Sequence, residues 1–561
     1  MSYPDGHVAT RAYDGEGNII SDEHGTYAYD GNGYLASQTD LRGQTTTYAN
    51  DDAGHVIAKT LPDGETITYA YDGKGNLLAE ASSTGRAFTR TYDELCRMTS
   101  ETDADGVTTS FAYDGADRIS QTDALGNVTT YAYDAMGRQI SVTDPSGNTS
   151  RTSYDAMGRV VAEVDGTGAT TRYLLDARGL LLALVEGTGS VTSFTYDAAA
   201  NMTSMTDAAG GVWTYAHDGV GNCISETDPL GHATIKGYDA RGRLISQVDA
   251  TGVSEAWSYD GLGRVVSHTL PSGASESCSY EGDLTEPARE VDALGNVTTR
   301  TFTARGQVAS ITYPDGGCEV LAYEGEDVLS RTSPSGLVTT LALSPAGRIM
   351  GVDASGRTWG YSYDAAGRVA SVTDPVGSTS LIENDAAGRV VGITDVLGHE
   401  TTFSYDGEGR PISVTDPLGN TVTCAYDALG NVVEETDALG NATTYAYDAL
   451  GLVASETDPL GNAMALERDA LGALISQTDA AGAVTTYAYD AAGRRISVTD
   501  PIGRQTAYSH DGAGNLVRIT LPDGSTERLG YDALGRVVSV TDALGRTASL
   551  DLDWRGHRAH L

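Results

Sequence analysis

The sequence repeats with a period of 21 residues. Each unit contains a Tyr-Asp step followed by a glycine, as in Tyr489–Gly493. The aspartates that keep this spacing are Asp30, Asp51, Asp72, Asp93, Asp114, Asp385, Asp406, Asp427, Asp448, Asp469, Asp490, Asp511, Asp532 and Asp553. A fixed period between 20 and 50 residues is typical of repeat proteins, in which each unit packs on its neighbours. The fold of the chain therefore follows from the fold of one unit.

Each unit contains two tetrapeptides of the form Asp-x-x-Gly, such as Asp134–Gly137 and Asp144–Gly147. Aspartate at the first place and glycine at the fourth are typical of a type I turn closed by a glycine bulge. The arms between the turns, such as Asn127–Tyr133 and Arg138–Thr143, are rich in Val, Ile, Thr and Tyr and have no helical period. The unit is predicted to be a β-hairpin, and the chain an all-β meander of roughly fifty antiparallel strands.

The lengths of the arms predict an irregularity in the strand pairing. With three-residue loops, one arm has seven residues and the next has eight, so the pairing leaves a remainder. We therefore expect one unpaired, bulged residue in most units. Three units are one residue shorter, from Asp114 to Asp134, from Glu324 to Ser344 and from Ser344 to Asp364. We expect these units to lack the bulge.

The number of strands predicts that the sheet coils. Roughly fifty strands spaced by about 4.8 Å would give a ribbon about 240 Å wide, and a twisted sheet of that width cannot stay flat. We interpret residues 1–561 as a single continuous array with an irregular segment at about 281–324 and incomplete units at 1–24 and 553–561. Because neither end offers a capping unit, we expect the chain to be a piece of a longer array; the alternative is that another chain covers its ends.

Composition excludes several classes of partner. The 77 acidic and 36 basic residues give a net charge of −41, which would repel nucleic acid and anionic lipid. The charge fits either a preference of each turn for aspartate or an acidic surface that holds a basic guest. No apolar run is long enough for membrane insertion, and no basic-apolar signal peptide follows Met1. The cysteines show neither a disulfide framework nor zinc spacing: Cys96, Cys223, Cys278, Cys318 and Cys424.

The repeated sequence resembles the YD or Rhs repeat family, which includes bacterial Rhs and wall-associated toxins, the Tc toxin C component and animal teneurins. One set of runs that carries the resemblance is Tyr-Asp-x-x-Gly-Arg, at Tyr154–Arg159, Tyr259–Arg264, Tyr363–Arg368 and Tyr531–Arg536. The other is Thr-Asp-x-x-Gly-Asn, at Thr122–Asn127, Thr415–Asn420 and Thr457–Asn462. The resemblance covers nearly the full length of the chain. It implies that the hairpins join into a sheet that spirals into a hollow shell.

The resemblance also implies a function. Shells of the toxin class enclose a C-terminal toxin, and a core region with self-cleaving aspartates closes them. The sequence contains no counterpart of that core region and no distinct C-terminal domain. The Asp-Pro-Leu-Gly runs at Asp228, Asp416 and Asp458 are ordinary turns, so no catalytic role is carried over to them. Membership would imply a secreted or cell-surface protein.

No residue is predicted to be catalytic, to bind a cofactor or to bind a metal. The recurring acidic pairs are explained by turns, and calcium is the alternative that Asp-rich loops leave open. The ten histidines do not cluster, and His399-Glu400 lacks the second histidine of a zincin. Tyr131 and Tyr133 point to one side of their strand, as do the paired tyrosines of other units. They predict an aromatic ladder, used either for cross-strand packing or as a surface for polypeptide or glycan.

Two functions are compatible with these observations. The first is a non-enzymatic structural protein, part of an Rhs-type shell that encapsulates or displays a polypeptide toxin or effector. Its partners would be that cargo or the remainder of a longer Rhs protein. The alternative is a cell-surface adhesion or carbohydrate-binding repeat module, with a surface glycan as partner. An enzyme is not expected.

Overall fold

The computed structural model describes residues 10–558, and this part of the chain forms 53 β-strands and no helix. The Cα positions divide into two compact units. Unit 1 contains the residues up to Thr152, Ser279–Arg289 and Thr298–Asn420. Unit 2 contains Ser153–Cys278, Glu290–Val297 and the residues from Thr421 onward. Of the predicted incomplete units at 1–24 and 553–561, residues 1–9 and 559–561 lie outside the described residues.

The first strands are β1 (Ala12–Tyr13), β2 (Ile19–Asp22), β3 (Gly25–Tyr29), β4 (Leu35–Asp40), β5 (Thr45–Asn50), β6 (Val56–Thr60), β7 (Thr66–Tyr71), β8 (Leu77–Ser82), β9 (Ala87–Tyr92), β10 (Met98–Asp103), β11 (Thr108–Asp114), β12 (Asp117–Thr122), β13 (Val128–Tyr133) and β14 (Gln139–Thr143). Next come β15 (Thr149–Tyr154), β16 (Val160–Val164), β17 (Thr170–Leu175), β18 (Leu181–Val185), β19 (Val191–Tyr196), β20 (Met202–Thr206), β21 (Val212–His217), β22 (Cys223–Thr227), β23 (Ala233–Tyr238), β24 (Leu244–Val248), β25 (Ser254–Tyr259), β26 (Val265–Thr269), β27 (Ser275–Tyr280) and β28 (Pro287–Val291).

They are followed by β29 (Val297–Phe302), β30 (Val308–Thr312), β31 (Cys318–Glu324), β32 (Asp327–Thr332), β33 (Val338–Leu343), β34 (Ile349–Ala354), β35 (Arg357–Tyr363), β36 (Val369–Thr373), β37 (Thr379–Asn384), β38 (Val390–Thr394), β39 (Glu400–Tyr405) and β40 (Pro411–Thr415). The last strands are β41 (Thr421–Tyr426), β42 (Val432–Thr436), β43 (Ala442–Tyr447), β44 (Val453–Thr457), β45 (Ala463–Arg468), β46 (Leu474–Thr478), β47 (Val484–Tyr489), β48 (Arg495–Thr499), β49 (Gln505–His510), β50 (Leu516–Thr520), β51 (Thr526–Tyr531), β52 (Val537–Thr541) and β53 (Thr547–Ser549).

Within each unit, successive strands pair in antiparallel fashion with their neighbours in the chain. In unit 1, β13 pairs with β14 through Tyr131 and Val142, and β14 then pairs with the strand that follows. In unit 2, β43 pairs with β44 and β44 pairs with β45 in the same way. The predicted all-β class and the predicted antiparallel hairpins are confirmed.

The predicted bulge is present. In the hairpin of β13 and β14, Ala132 pairs with Ser141 but Tyr133 pairs with Gln139, so Ile140 has no partner across the ladder. The same shift of one residue recurs before the turn in β5–β6, β7–β8, β17–β18, β19–β20, β21–β22, β23–β24, β25–β26, β35–β36, β37–β38, β39–β40, β43–β44, β47–β48 and β51–β52. Each such hairpin therefore has one extra residue in its second strand.

The prediction that the three shorter units lack the bulge is wrong. In β11–β12, the register still shifts between Ala112 and Tyr113, while Asp114 pairs with Asp117 around a turn of only two residues. The same two-residue turn joins β31 to β32 and β34 to β35, and the bulges of β31–β32 and β33–β34 remain. The turn can shorten because Gly115 and Ser355 adopt φ of 55° and 57°, as two-residue hairpin turns require.

The predicted irregular segment 281–324 is irregular only at its start. Residues 281–286 form a six-residue connection between Tyr280 and Pro287, and regular strands follow from Pro287 to Glu324. Among residues 10–558, this is the longest connection between two consecutive strands.

The sheet is a single layer without a buried apolar core in the described part of the chain. Side chains alternate between more and less exposed along strands such as β5 and β47, but neither side is covered. The buried side chain of Glu319 accepts hydrogen bonds from Arg331 at 2.6 and 3.0 Å. Since packing contributes little, backbone hydrogen bonds and the turns must carry most of the stability.

Two turns lack the expected glycine, and they predict a stabilising substitution. Cys96 and Ala200 occupy the glycine place of their turns with φ of 62° and 70°, a region in which an L-residue is strained. Cys96→Gly and Ala200→Gly should each raise the free energy of unfolding by about 1 kcal/mol, since glycine carries no strain there. Chemical denaturation followed by circular dichroism would measure the change.

The matched control is Ala199→Gly, because Ala199 is not among the residues with positive φ. This change should leave stability unchanged or lower it. An equal gain from Ala199→Gly and Ala200→Gly would show that backbone strain is not the cause.

Candidate functional site

Two kinds of turn alternate along the chain. We call the turn that follows the tyrosine position a Tyr-Asp turn, as at Asp134–Gly137, and the next one a Thr-Asp turn, as at Asp144–Gly147. Because consecutive antiparallel strands are joined at alternate ends, the two kinds form two rows at opposite edges of the strip. We call the third residue of each turn, directly before the glycine, the tip.

The aspartate that opens a turn binds it from within. Asp134 Oδ1 accepts the backbone N–H groups of Met136 at 2.8 Å and Arg138 at 3.1 Å, and Oδ2 accepts Nε of Arg138 at 2.7 Å. In the next turn, Asp144 accepts the backbone N–H and the Nδ2 of Asn148, both at 2.8 Å. The residue after the glycine is thus part of the turn. Sequence analysis missed this role, although the recurring Gly-Arg and Gly-Asn steps carry the signal.

Such bonds favour the ionised form of several turn aspartates. The side-chain hydrogen bond from Arg138 lowers the pKa of Asp134, and those from Asn76 and Asn441 lower the pKa of Asp72 and Asp437. Most of the negative charge therefore belongs to groups that hold turns together.

The tyrosine of a Tyr-Asp step donates a hydrogen bond to the backbone beside the bulge of the preceding hairpin. Tyr133 Oη donates to the carbonyl of Arg118 at 2.9 Å, and Arg118 directly precedes the bulged Ile119. The same bond, at 2.6–3.1 Å, is made by Tyr71, Tyr92, Tyr113, Tyr196, Tyr238, Tyr259, Tyr323, Tyr405, Tyr447, Tyr489 and Tyr531. A carbonyl that the bulge leaves without a strand partner is thereby satisfied.

Four units without this tyrosine replace the bond. Asn50 and Asn384 donate through Nδ2 to the equivalent carbonyls at 3.0 and 3.1 Å, and Arg468 donates at 3.1 Å. Where Phe302 stands in place of tyrosine, Arg300 donates to the carbonyl of Pro287 at 3.2 Å. The need for a donor, not for a ring alone, explains why the chain has 31 Tyr and only five Phe. The predicted aromatic ladder is therefore also a ladder of hydrogen-bond donors.

Unit 1 brings two strips together edge to edge. Thr-Asp turns of its early segment, residues 10–152, face Tyr-Asp turns of its late segment, residues 298–420. Arg305, which is 10% exposed, donates from Nε to Asp63 at 2.6 Å and also pairs with Glu65. Arg348 pairs with Asp103 at 2.6 Å and with Asp105. We call this line of contacts the seam.

The seam also uses backbone and neutral groups. Arg42 donates to the carbonyls of Thr303 at 3.1 Å and Ala304 at 3.0 Å, so its guanidinium binds the backbone of the facing turn. Arg389 pairs with Asp385 in its own turn and still reaches Oγ of Ser146 at 3.2 Å. Partners across the seam are 239–262 residues apart in sequence.

A cleft of about 580 Å³ lies along the seam of unit 1. Its lining includes the basic groups of Arg42, Lys59 and Arg305 and the acidic groups of Glu65 and Glu80. Because Arg305 and Glu65 already pair with each other, we interpret the cleft as part of the contact between the facing turns.

Unit 2 contains the same arrangement. A Cβ on Gly187 would lie 3.1 Å from Cβ of Ala428, so a Thr-Asp turn and a Tyr-Asp turn 241 residues apart are in contact. Asp249 and Arg494 line one small cleft, and Arg494 helps to lower the pKa of Asp249 against the opposing effect of burial. The seam is therefore a property of the repeat.

Clusters of metal-ligating side chains are absent from the described residues. No set of three or more His, Cys, Asp or Glu side chains between residues 10 and 558 is placed to hold a metal ion. Asp228, Asp416 and Asp458 of the Asp-Pro-Leu-Gly runs open Thr-Asp turns, as the sequence predicts. Within the same residues there is no helix with the length and apolarity needed to cross a membrane.

The sequence profile of the RHS Repeat family matches the chain thirteen times. The matched residues are 51–87, 92–122, 113–149, 137–171, 176–212, 201–233, 238–275, 344–379, 385–421, 426–463, 468–504, 492–526 and 510–547. No curated protein sequence matches the chain.

Solved structures share the fold. The crystal structure of TcdB2–TccC3 aligns with a TM-score of 0.57 at 15% identity, over 95% of this chain and 38% of that one. The Tc holotoxin pore of Photorhabdus luminescens aligns with a TM-score of 0.56 at 13% identity, over 95% and 39%. The chain thus spans about two fifths of the length of these relatives.

The tyrosine bond predicts an asymmetry between neighbouring tyrosines. Tyr133→Phe should lower the free energy of unfolding by about 1 kcal/mol, since it leaves the carbonyl of Arg118 without its donor. Tyr131→Phe is the matched control, because Tyr131 lies on the same face but donates to no strand carbonyl in the described chain. Chemical denaturation of both variants would measure the difference, and equal losses would contradict the assigned role.

The lowered pKa values predict acid sensitivity. Asp72, Asp134 and Asp437 have a folded-state pKa below the unfolded value of about 3.9, so their contribution to stability is complete above that pH and is lost as pH falls towards the folded-state pKa. The thermal unfolding midpoint should stay level between about pH 7 and 5 and fall below about pH 4. A midpoint unchanged down to about pH 3 would contradict this assignment.

Proposed function

The chain belongs to the RHS repeat family, and we propose that it is a non-enzymatic structural section of a β-wall that encloses or displays a polypeptide toxin or effector. The observation that carries the proposal is the seam. In each unit, turns about 240 residues apart in sequence close edge to edge, as Arg305 and Asp63 do in unit 1.

The single-layer sheet supports a wall. Strands of five to six residues make a strip about 20 Å tall, at about 3.3 Å per residue, with both faces exposed. A globular enzyme or receptor needs a core to hold a pocket, whereas a wall needs only continuous pairing and closed joints. The seam supplies such joints, since its ion pairs hold the facing turns of the two strips of unit 1 together.

The hydrogen bonds that the acidic groups accept within turns support a structural role. The aspartates that could serve as acid and base are bound inside turns, for example Asp134 to Arg138. We further propose that residues 1–561 form one continuous array, because the turn pattern has the same period in both units. A secreted or cell-surface location and a polypeptide partner follow from the same proposal.

A protease-protection experiment tests the proposal. A flexible polypeptide with a single protease site would be fused to the chain, at the N-terminus in one protein and at the C-terminus in another. At least one fusion should be cleaved roughly tenfold more slowly than the free polypeptide, since access through a closed wall requires local opening.

The control for this experiment opens the seam. Arg305→Glu combined with Arg348→Glu places acid against Asp63 and Asp103 and should restore fast cleavage. Arg504→Glu, in an exposed turn where Arg504 pairs with Asp500, should not. Cleavage of both fusions at the rate of the free polypeptide would contradict enclosure, and glycan binding by the same protein would favour the adhesion alternative.

A further inference from the structure

Two arginines face each other across one strand pair of unit 2. Arg518 in β50 and Arg528 in β51 are register partners, and both side chains are exposed. Residues that pair directly across antiparallel strands have Cβ atoms about 5 Å apart, and two like charges at that distance are destabilising. The strand pairing therefore holds two guanidinium groups together against their mutual repulsion.

The same two positions carry small side chains in neighbouring hairpins. Ser476 pairs there with Thr486, and Ser497 pairs with Ala507. The fold therefore does not require an arginine at either position, and the pair costs stability that serine and threonine would not.

The strands provide no carboxylate to balance the two charges on this face. Cross-strand partners share a face, and the other paired residues of β48–β52 on it are Ser497, Thr499, Gln505, Ala507, Ser509, Thr520, Thr526, Gly530, Ser539 and Thr541. Towards the N-terminus, the nearest acidic strand residue on this face is Glu467 in β45, five strands from β50 and about 24 Å away. Neither arginine has a hydrogen-bond or ion-pair partner in the described part of the chain.

The turn of this hairpin also lacks the usual opening carboxylate. The turn Leu521–Gly524 opens with leucine, where most turns have aspartate. Its tip, Asp523, accepts the backbone N–H of Ser525 at 2.9 Å and the hydroxyl at 2.6 Å. The aspartates of the flanking Tyr-Asp turns are bound in their own turns, as Asp532 is by Arg536 at 2.7 Å. These carboxylates therefore do not pair with the two arginines.

Hydroxyl groups flank the pair. Ser509 and Thr541 are the outer cross-strand partners of the two arginines. Thr541 shares a hydrogen bond of 2.8 Å with Thr547, and a hydroxyl can make further bonds. Gly530 lies on the same face, and a Cβ there would clash with Oγ of Ser539. The glycine thus leaves room for a third hydroxyl beside the pair.

We propose that Arg518 and Arg528 form a binding site for a tetrahedral oxyanion, a phosphate or sulfate group that is either free or carried by a sugar. Each guanidinium has a planar fork of N–H donors that matches two oxygens of such a group, and the flanking hydroxyls can donate to the others. An anion between the two cations also offsets their repulsion, as no side chain of the described residues does. The small side chains around the pair leave room for a sugar that carries the anion.

The site is tested by phosphorus NMR titration of the full chain at 0.15 M sodium chloride, with inorganic phosphate and glucose 6-phosphate as separate ligands. At this salt concentration the Debye length is about 8 Å, so the net charge of −41 is largely screened. At least one ligand should bind with a dissociation constant of about 1 mM. Tighter binding of inorganic phosphate assigns the site to the free anion, and tighter binding of glucose 6-phosphate assigns it to a sugar-borne group.

The site variants are Arg518→Ser and Arg528→Thr, which introduce residues that neighbouring hairpins carry at these positions. Each should fold, as circular dichroism would show, and should weaken binding by at least about tenfold, since one guanidinium cannot replace two. The matched control is Arg264→Asn, which removes one positive charge from a turn where Arg264 pairs with Asp260. Its affinity should stay within about twofold of the wild type.

The repulsion between the arginines gives a second measurement. At low salt without phosphate, Arg528→Thr should raise the thermal unfolding midpoint, because it removes a like-charge pair. Phosphate added at constant ionic strength should then raise the midpoint of the wild type more than that of the variant. The general stabilising effect of phosphate acts on both proteins and cancels in this comparison.

Three results would overturn the proposal. The first is that neither ligand binds the wild type. The second is that both site variants bind as tightly as the wild type. The third is an equal loss of affinity in Arg264→Asn and Arg528→Thr, which would show that only the net charge matters.

Discussion

The structure depends on an aspartate that binds its own turn. In a single-layer sheet without a buried core, no apolar layer can hold strands whose turns come apart. Many turns are therefore fixed by a carboxylate that accepts two backbone N–H groups and a hydrogen bond from the side chain after the glycine, as Asp134 does with Arg138. The acidic composition follows from this use of aspartate in turn after turn.

The bulge and the tyrosine act together. A bulge increases twist and leaves a carbonyl without a ladder partner, and Tyr133 donates to that carbonyl from the following hairpin. This bond joins consecutive hairpins through a side-chain hydroxyl, in addition to the backbone hydrogen bonds of the strand ladder. Because Asn50, Asn384 and Arg300 preserve it where tyrosine is absent, the constraint acts on the donor group.

The local fold could be predicted from the sequence because every signal lies within one period. The Asp-x-x-Gly spacing, the β-rich arms and their unequal lengths predict the hairpins and the bulge. The same count of residues gave a wrong prediction for the unit that begins at Asp114, because this unit is shortened in its turn and not in its strand. The seam was beyond sequence analysis, since Arg305 and Asp63 are 242 residues apart and no local pattern fixes how far a coiling sheet travels before it meets itself.

The distribution of basic residues gives each strip a direction. Arginine follows the glycine in many Tyr-Asp turns, such as Asp364–Arg368, whereas asparagine, serine or histidine often follows it in Thr-Asp turns, such as Asp374–Ser378. In the seam of unit 1, Arg305 and Arg348 of Tyr-Asp turns bind carboxylates of Thr-Asp turns. Arg42 of a Thr-Asp turn donates in the opposite direction, to the backbone carbonyls of Thr303 and Ala304. The period of the repeat builds the strip, and arginines from both rows of turns close the seam.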